Sequence, residues 1–263
     1  MNQAQPSPQR PSVALVFGGR SGEHPISCVT ASKVLGAIDR DRYDTVAVGI
    51  TRAGEWRLVS DDPADWAIAP DGTFPQVEDT GIEVLLPDGA GGGELRLIQG
   101  GALVERRRVD VVFPLLHGPW GEDGTVQGAL DLIDLPYVGA GVLGSATAMD
   151  KAAAKLRFLA AGLPVAPFIE VDARTWRPTP PTLDDAGARL GWPVFVKPSR
   201  AGSSLGVVRA EGPAALAAAV AEAGGLDPRV LIEAEIRGRE IECGVLGGRN
   251  GSPPRAGAPG EIA

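Results

Sequence analysis

The sequence predicts an α/β protein in two parts: an open parallel α/β domain over residues 13–150, then an antiparallel α+β domain from residue 151. Three observations carry this. Short, fully apolar runs alternate with helix-like spacing in the first half, the pattern of a parallel sheet covered on both faces. From residue 151 the pattern changes to short strands broken by glycine-rich turns. The length, 263 residues, suits about two domains, each with a buried core.

Residues 1–12 are polar and proline-rich, without the apolar core of a signal peptide, and are expected to be a disordered tail. Residues 13–17 form a buried strand, the turn Gly18-Gly19-Arg20-Ser21-Gly22 breaks it, and residues 27–38 have helical apolar spacing. Second and third strands are predicted at 43–50 and 109–116. Hairpins are expected in the glycine-rich stretch 51–108, with turns at Ala53-Gly54 and Pro87-Asp88-Gly89. A helix at 125–133 and a short fourth strand at 136–139 complete the first domain. Asp150 as N-cap, an Ala-rich run at 151–161, Gly162 and then Pro164 define a helix with both ends marked. Beyond it, strands are predicted at 193–197, 206–209, 230–233 and 240–246, with a helix at 213–224. The Pro-rich segment 174–181 reads as a loop, 247–252 as a hairpin turn, and 260–263 as a returning strand.

Composition excludes several classes of function. With 25 Lys and Arg against 33 Asp and Glu, the formal charge is −8. Nothing there favours nucleic acid or an anionic membrane surface, so any phosphate must be held locally. No apolar run approaches the roughly 20 residues of a membrane helix, and a cytoplasmic protein is expected. Two cysteines, Cys28 and Cys243, and two histidines supply neither a disulfide framework nor a zinc site.

The candidate chemistry lies in three segments. The first turn lacks the G-x-G-x-x-G spacing of a dinucleotide fold, which weakens a dehydrogenase reading. It places Glu23 between a strand end and a helix start, where a carboxylate either holds a substrate ammonium or complements the helix dipole. Leu116 to Thr125 is a polar loop on the same sheet edge. There His117 can meet a carboxylate or carbonyl oxygen, while Glu122 and Asp123 accept backbone N–H bonds. The third segment is Val196-Lys197-Pro198-Ser199-Arg200-Ala201-Gly202-Ser203-Ser204-Leu205-Gly206, a Gly/Ser flap between two strands. Ser203, Ser204 and nearby N–H groups can cradle phosphate oxygens, and Lys197 adds a charge from within an apolar strand; an ordinary hairpin with a snorkelling lysine is the plainer alternative. Lys151, a cation in the first turn of a helix, points to a further anion contact. Glu233 and Glu240 flank a hairpin where a carboxylate can hold ribose hydroxyls and a strand edge can pair with adenine; they also suit a solvated turn. Cys28 is expected to be a small buried residue.

Together these segments resemble the D-alanine-D-alanine ligases of the ATP-grasp family. The likeness rests on Phe-Gly-Gly-Arg-Ser-Gly-Glu-His-Pro-Ile-Ser from Phe17, His-Gly-Pro-Trp-Gly-Glu-Asp-Gly-Thr-Val-Gln-Gly from His117, Pro-Tyr-Val-Gly-Ala-Gly-Val-Leu from Pro136, Ala-Met-Asp-Lys ending at Lys151, and the Lys197 flap, and its wording looks most like the actinobacterial form. The resemblance implies that Glu23 binds the ammonium of a first D-alanine, with His117 near its carboxyl group and Ser203 hydrogen-bonded to Glu23. It implies Lys151 and Lys197 on the phosphates of ATP, Ser204 in the flap, Glu233 with the backbone of Ala234 and Ile236 at the adenine, and Glu240 on the ribose. Magnesium and a homodimer are implied as well. The family pattern continues past residue 263, so residues 151–246 are expected to be the central part of an incomplete ATP-grasp fold and 247–263 the start of its C-terminal lobe, most of it missing along with the magnesium ligands. On that expectation the chain alone is inactive, and the alternatives are a nucleotide-binding remnant, half of a split enzyme, or a D-alanine-D-lactate ligase.

Overall fold

The computed structural model describes residues 10–89, 93–248 and 251–262. Strand β1 (Ser12–Gly18) is apolar along its length because both of its faces are covered. Val13, Leu15 and Phe17 pack with Cys28, Ala31 and Leu35 of helix α1 (His24–Ala37). Ala14 and Val16 point the other way, towards Val126 and Leu130 of helix α2 (Thr125–Leu132). Strand β2 (Asp44–Ile50) runs parallel to β1 and repeats the division, with Val46, Val48 and Ile50 in one core and Ala47 in the other. Helix α1 begins earlier than its apolar spacing predicts because Pro25 falls in its first turn, where a fixed φ and a missing N–H cost nothing.

The first sheet is mixed, which corrects the expected open parallel domain. Its order is β6-β5-β4-β3-β2-β1-β7, with β3 (Trp56–Leu58), β4 (Ile82–Leu85), β5 (Glu94–Gln99), β6 (Ala102–Arg108) and β7 (Val111–Pro114). Only β2, β1 and β7 are mutually parallel; β3 to β6 pair antiparallel. The reason is local. Residues 51–108 carry tight turns, with positive φ at Gly54, Gly100 and Gly101, and a parallel pair needs a crossover of a dozen or more residues. The predicted strand at 136–139 is reduced to one parallel bridge, Val112 to Tyr137.

Helix α3 (Val142–Met149), which the sequence reading lacked, leads into α4 (Lys151–Ala160). Asp150 caps α4 as expected, its Oδ1 accepting from the Ala153 N–H at 3.0 Å. The second sheet has the order β10-β9-β11-β8 and is antiparallel throughout. It contains β8 (Phe168–Asp172), β9 (Val194–Pro198), β10 (Val208–Ala210) and β11 (Arg229–Ala234), with helices α5 (Pro180–Leu190) and α6 (Pro213–Gly224). Strand β8 and helix α5 were not anticipated. Prolines that read as loop occupy the first turn of α5. Leu216, Ala219, Val220 and Ala223 of α6 cover Val194, Val196, Val230 and Ile232. Alternation therefore puts Phe195, Lys197, Leu231 and Glu233 on the opposite face.

The predicted strand at 240–246 divides into β12 (Glu240–Glu242) and β13 (Val245–Leu246). These pair with β15 (Gly260–Ile262) and β14 (Arg255–Ala256) respectively, and all four are exposed. Residues 249 and 250 of the expected turn, Ala263 of the expected returning strand, and residues 1–9 of the expected tail lie outside the described residues. Among the described residues no helix is long and apolar enough to cross a membrane.

Candidate active site

The turn from β1 to α1 is built around His24. Its ring is fully buried; Nδ1 donates to the Gly19 carbonyl at 2.6 Å, and Nε2 accepts from the Val77 N–H at 3.0 Å. A carbonyl can only accept, so these partners define a neutral ring protonated on Nδ1. Burial pushes its pKa below the ordinary histidine value, only partly offset by the bond to Gly19. Gly18 cannot be replaced here without strain: its φ is +87°, and a Cβ would sit 2.5 Å from the Ile50 carbonyl oxygen. Held this way, the turn presents Glu23 at the N-terminus of α1 without using its side chain as a cap.

Glu23 meets the flap of the second sheet. Ser203 Oγ donates to Glu23 Oε1 across 180 positions of sequence. The flap's base is fixed: Ser199 Oγ donates to Asp150 at 3.0 Å, and the Arg200 N–H, Nε and Nη2 all donate to Asp227 at 2.6–2.9 Å. Its tip is strained, since Ser203 and Ser204 both adopt left-handed φ, +47° and +55°. Two glycines make room for the carboxylate, with Glu23 Oε2 only 2.5 Å and 3.0 Å from where a Cβ would lie on Gly118 and Gly202. A cavity of about 420 Å³ opens here, lined by Arg20, Ser21, Glu23, Trp120, Gly202 and Ser203.

The loop after β7 supplies the facing wall, braced as its sequence predicts. Glu122 Oε2 accepts from the Gly118 N–H at 2.6 Å, and Asp123 accepts from the N–H groups of Trp120 and Thr125 at 2.8 and 3.0 Å. His117 is half-buried, and a 3.0 Å hydrogen bond joins its Nε2 to Thr30 Oγ1 on α1. The His117 carbonyl accepts from Ser21 Oγ at 2.7 Å, which ties this loop to the Glu23 turn. Arg20 lies 4.6 Å over the Trp120 ring, and both side chains line the cavity.

A cluster of cations, two of them from α4, lies on the face of the second sheet opposite α6. Glu233 forms ion pairs with both Lys197 and Lys155, and these three side chains are only 10%, 22% and 15% exposed. Burial works against the Glu233 charge, but hydrogen bonds from Lys155 and Lys197 more than offset it and hold its pKa below the ordinary glutamate value. Lys151 donates to the Ala201 carbonyl at the foot of the flap. Burial and, secondly, repulsion from Lys197 lower its pKa. Two mutually repelling lysines beside a Gly/Ser flap form a donor set that fits a polyphosphate.

Not every candidate joins this arrangement. Ser204 is exposed on the flap, Ala234 ends β11, and Ile236 is exposed just beyond it. Glu240 is exposed opposite Ile262, and among the described residues no hydrogen bond or ion pair links it to Glu233 or the lysines. Among the described residues no group of three or more His, Cys, Asp or Glu is placed to hold a metal ion. Sequence reasoning missed His24, Thr30 and Lys155. Lys155 had a signal: it lies one helical turn after Lys151, on the same face of α4.

Residues 12–140 match the family described as D-ala D-ala ligase N-terminus, and residues 158–263 the one described as D-ala D-ala ligase C-terminus. The D-alanine-D-alanine ligase of Arthrobacter sp. (strain FB24) is 51% identical over 98% of this chain and 68% of its own length. That of Kineococcus radiotolerans is 51% identical over 97% of this chain and 69% of its own. Among solved structures, a D-alanine-D-alanine ligase from Coxiella burnetii is 32% identical with a TM-score of 0.81, covering 96% of this chain and 71% of that one. A D-Ala:D-Ser ligase from Enterococcus faecalis is 31% identical with a TM-score of 0.79, covering 96% and 70%. The matches run across nearly all of this chain and 68–71% of the relatives' own lengths, and the mixed-sheet α/β architecture is the one the solved structures share with it.

Proposed function

Because this chain belongs to the D-alanine-D-alanine ligase family, a family of ATP-dependent ligases, we propose that it joins two D-alanine molecules with ATP to make a peptidoglycan precursor. The observation that carries the reading is the cleft in which Ser203 of the flap binds Glu23, beside a half-buried lysine cluster. Glu23 is the carboxylate for the ammonium of the first D-alanine, with Gly118 and Gly202 leaving the space and Ser203 orienting it. His117, fixed by Thr30, faces the substrate carboxyl group. Lys151 and Lys197 neutralise phosphate oxygens under the flap that carries Ser204. Glu233, with the backbone of Ala234 and Ile236, takes the adenine, and Glu240 the ribose. When bound, ATP supplies the phosphoryl group that activates the first carboxylate towards the amine of the second D-alanine. The reading includes a division near residue 150 into a substrate-binding and a nucleotide-binding part, residues 247–263 belonging to the C-terminal lobe, a cytoplasmic location and a homodimer, the last checked by sedimentation.

Steady-state kinetics on the purified protein test the reading. D-alanine-dependent release of phosphate from ATP is expected, and Glu23→Gln should raise the KM for the first D-alanine roughly tenfold or more, the worth of a charged contact, while moving the KM for ATP little. Phosphate release independent of D-alanine, or a Glu23→Gln effect confined to ATP, would refute it.

A further inference from the structure

Two lysines hold Glu233, and the proposed function uses only one of them. Lys197, on β9, binds Oε2; Lys155, on α4, binds Oε1. The surroundings of Lys155 keep it where it is. Its ammonium lies 5.4 Å over the Phe168 ring of β8 and 3.5 Å from the Ala166 carbonyl oxygen. Among the described residues Lys197 has no such additional tether, and its neighbour Lys151 repels it. An arriving polyphosphate therefore draws Lys197 more readily than Lys155.

We propose that Lys155 is a positioning residue for base selection: it keeps the Glu233 carboxylate in place through Oε1, so that Oε2, once Lys197 turns to the phosphates, accepts a hydrogen bond from the exocyclic amine of adenine. The proposal rests on the reading of Glu233 as the carboxylate that faces the base. Its physical basis is charge balance. The charged groups around Glu233 are Lys151 and Lys155 from α4 and Lys197 from β9, while β8 contributes the neutral Phe168 opposite it in register. With Lys197 engaged elsewhere and Lys155 absent, a buried carboxylate loses its counter-ions and takes up a proton. A protonated carboxyl turns a donor towards the base and no longer favours an amine.

The test is calorimetric titration without D-alanine, from pH 6 to 9, comparing ATP with purine riboside triphosphate, which lacks the exocyclic amine. The native protein should prefer ATP roughly tenfold, about the value of one hydrogen bond to a charged group, at every pH. Glu233→Gln should lose most of that preference. Lys155→Gln, which keeps chain length and a donor but not the charge, should lose it at low pH and regain it as pH rises. Lys155→Met serves in the same way if the glutamine variant folds poorly, and Lys155→Arg should retain the native ratio. In a Glu233→Gln background, Lys155→Gln should change the ratio no further. A native, pH-independent ratio in the neutral Lys155 variants, with the ratio lost in Glu233→Gln, overturns the role of Lys155 and leaves the Glu233 reading standing. A native ratio in Glu233→Gln overturns both.

Discussion

Gly118→Ala isolates the geometry around Glu23. Two effects bear on the backbone. Gly118 has φ +73°, a left-handed conformation that costs an L-residue about 1–2 kcal/mol. Alanine also narrows the unfolded ensemble, which returns about 0.4–1 kcal/mol, so the net loss of stability should be about 1 kcal/mol. At this chain length that lowers the Tm by only a few degrees, roughly 2–4 °C per kcal/mol. The third effect is specific to the site. The new Cβ would stand 2.5 Å from Glu23 Oε2, and the part able to give way is the end of the flexible Glu23 side chain. Its displacement breaks the contact with Ser203 and moves the carboxylate off the ammonium it is proposed to hold, a charge-assisted contact worth about 1.5–3 kcal/mol. The KM for the first D-alanine should therefore rise roughly tenfold or more, with ATP affinity little changed. Gly72→Ala is the control: its φ is +86° and nothing lies within 4 Å of its Cβ position, so it carries the backbone cost alone. Thermal unfolding and substrate kinetics on both variants decide the matter. Equal KM values for D-alanine in the two variants would refute the placement of Glu23 as the ammonium site.

Lys197→Ala should weaken ATP binding roughly tenfold or more, the value of a lost charge-assisted contact; unchanged affinity in calorimetric titration would contradict it. Stability should fall as pH drops below the ordinary histidine pKa of about 6.5, because His24 has a lowered pKa when folded and the unfolded chain takes up the proton more readily. Denaturant titrations between pH 5 and 8 should show this slope in the native protein and a shallower one in His24→Gln. Of the two cysteines, only Cys243 should react with a thiol reagent at pH 8 in the folded protein, since Cys243 is exposed whereas Cys28 is fully buried and its thiol is pushed up to about 12 by burial. Rapid modification of both would show that the core around α1 opens readily.

Several elements built on short-range information were legible in the sequence, though helices α3 and α5 were not. The apolar run of β1, the capped start of α4 at Asp150, the Ala-rich helix α6 and the bracing of the His117 loop by Glu122 and Asp123 each depend on residues within a few positions of one another. Strand direction in the first sheet was less legible. Apolar runs announce strands whether their neighbours are parallel or not, and the tight turns at Gly54 and at Gly100-Gly101 impose antiparallel pairing on β2–β3 and β5–β6. Strand β8, with an acidic residue in mid-strand and half-buried sides, carries a weak pattern because it is an edge strand.

The site divides in the same way. Spacing and residue type marked Glu23, His117, Lys151, Lys197 and the Gly/Ser flap as candidates, because carboxylates at strand ends and lysines beside glycine-rich loops have a local chemical logic. The Ser203 contact with Glu23 was reachable beforehand only through resemblance to a family, since no periodicity relates positions 180 apart. Lys155 gained its partners only when β8 and β11 closed around it, and His24 only when Val77 arrived from a distant loop. Local propensity acts over a few residues and could nominate the groups; the partners that set their ionisation and direction are brought within hydrogen-bonding distance only when the two sheets and their covering helices pack.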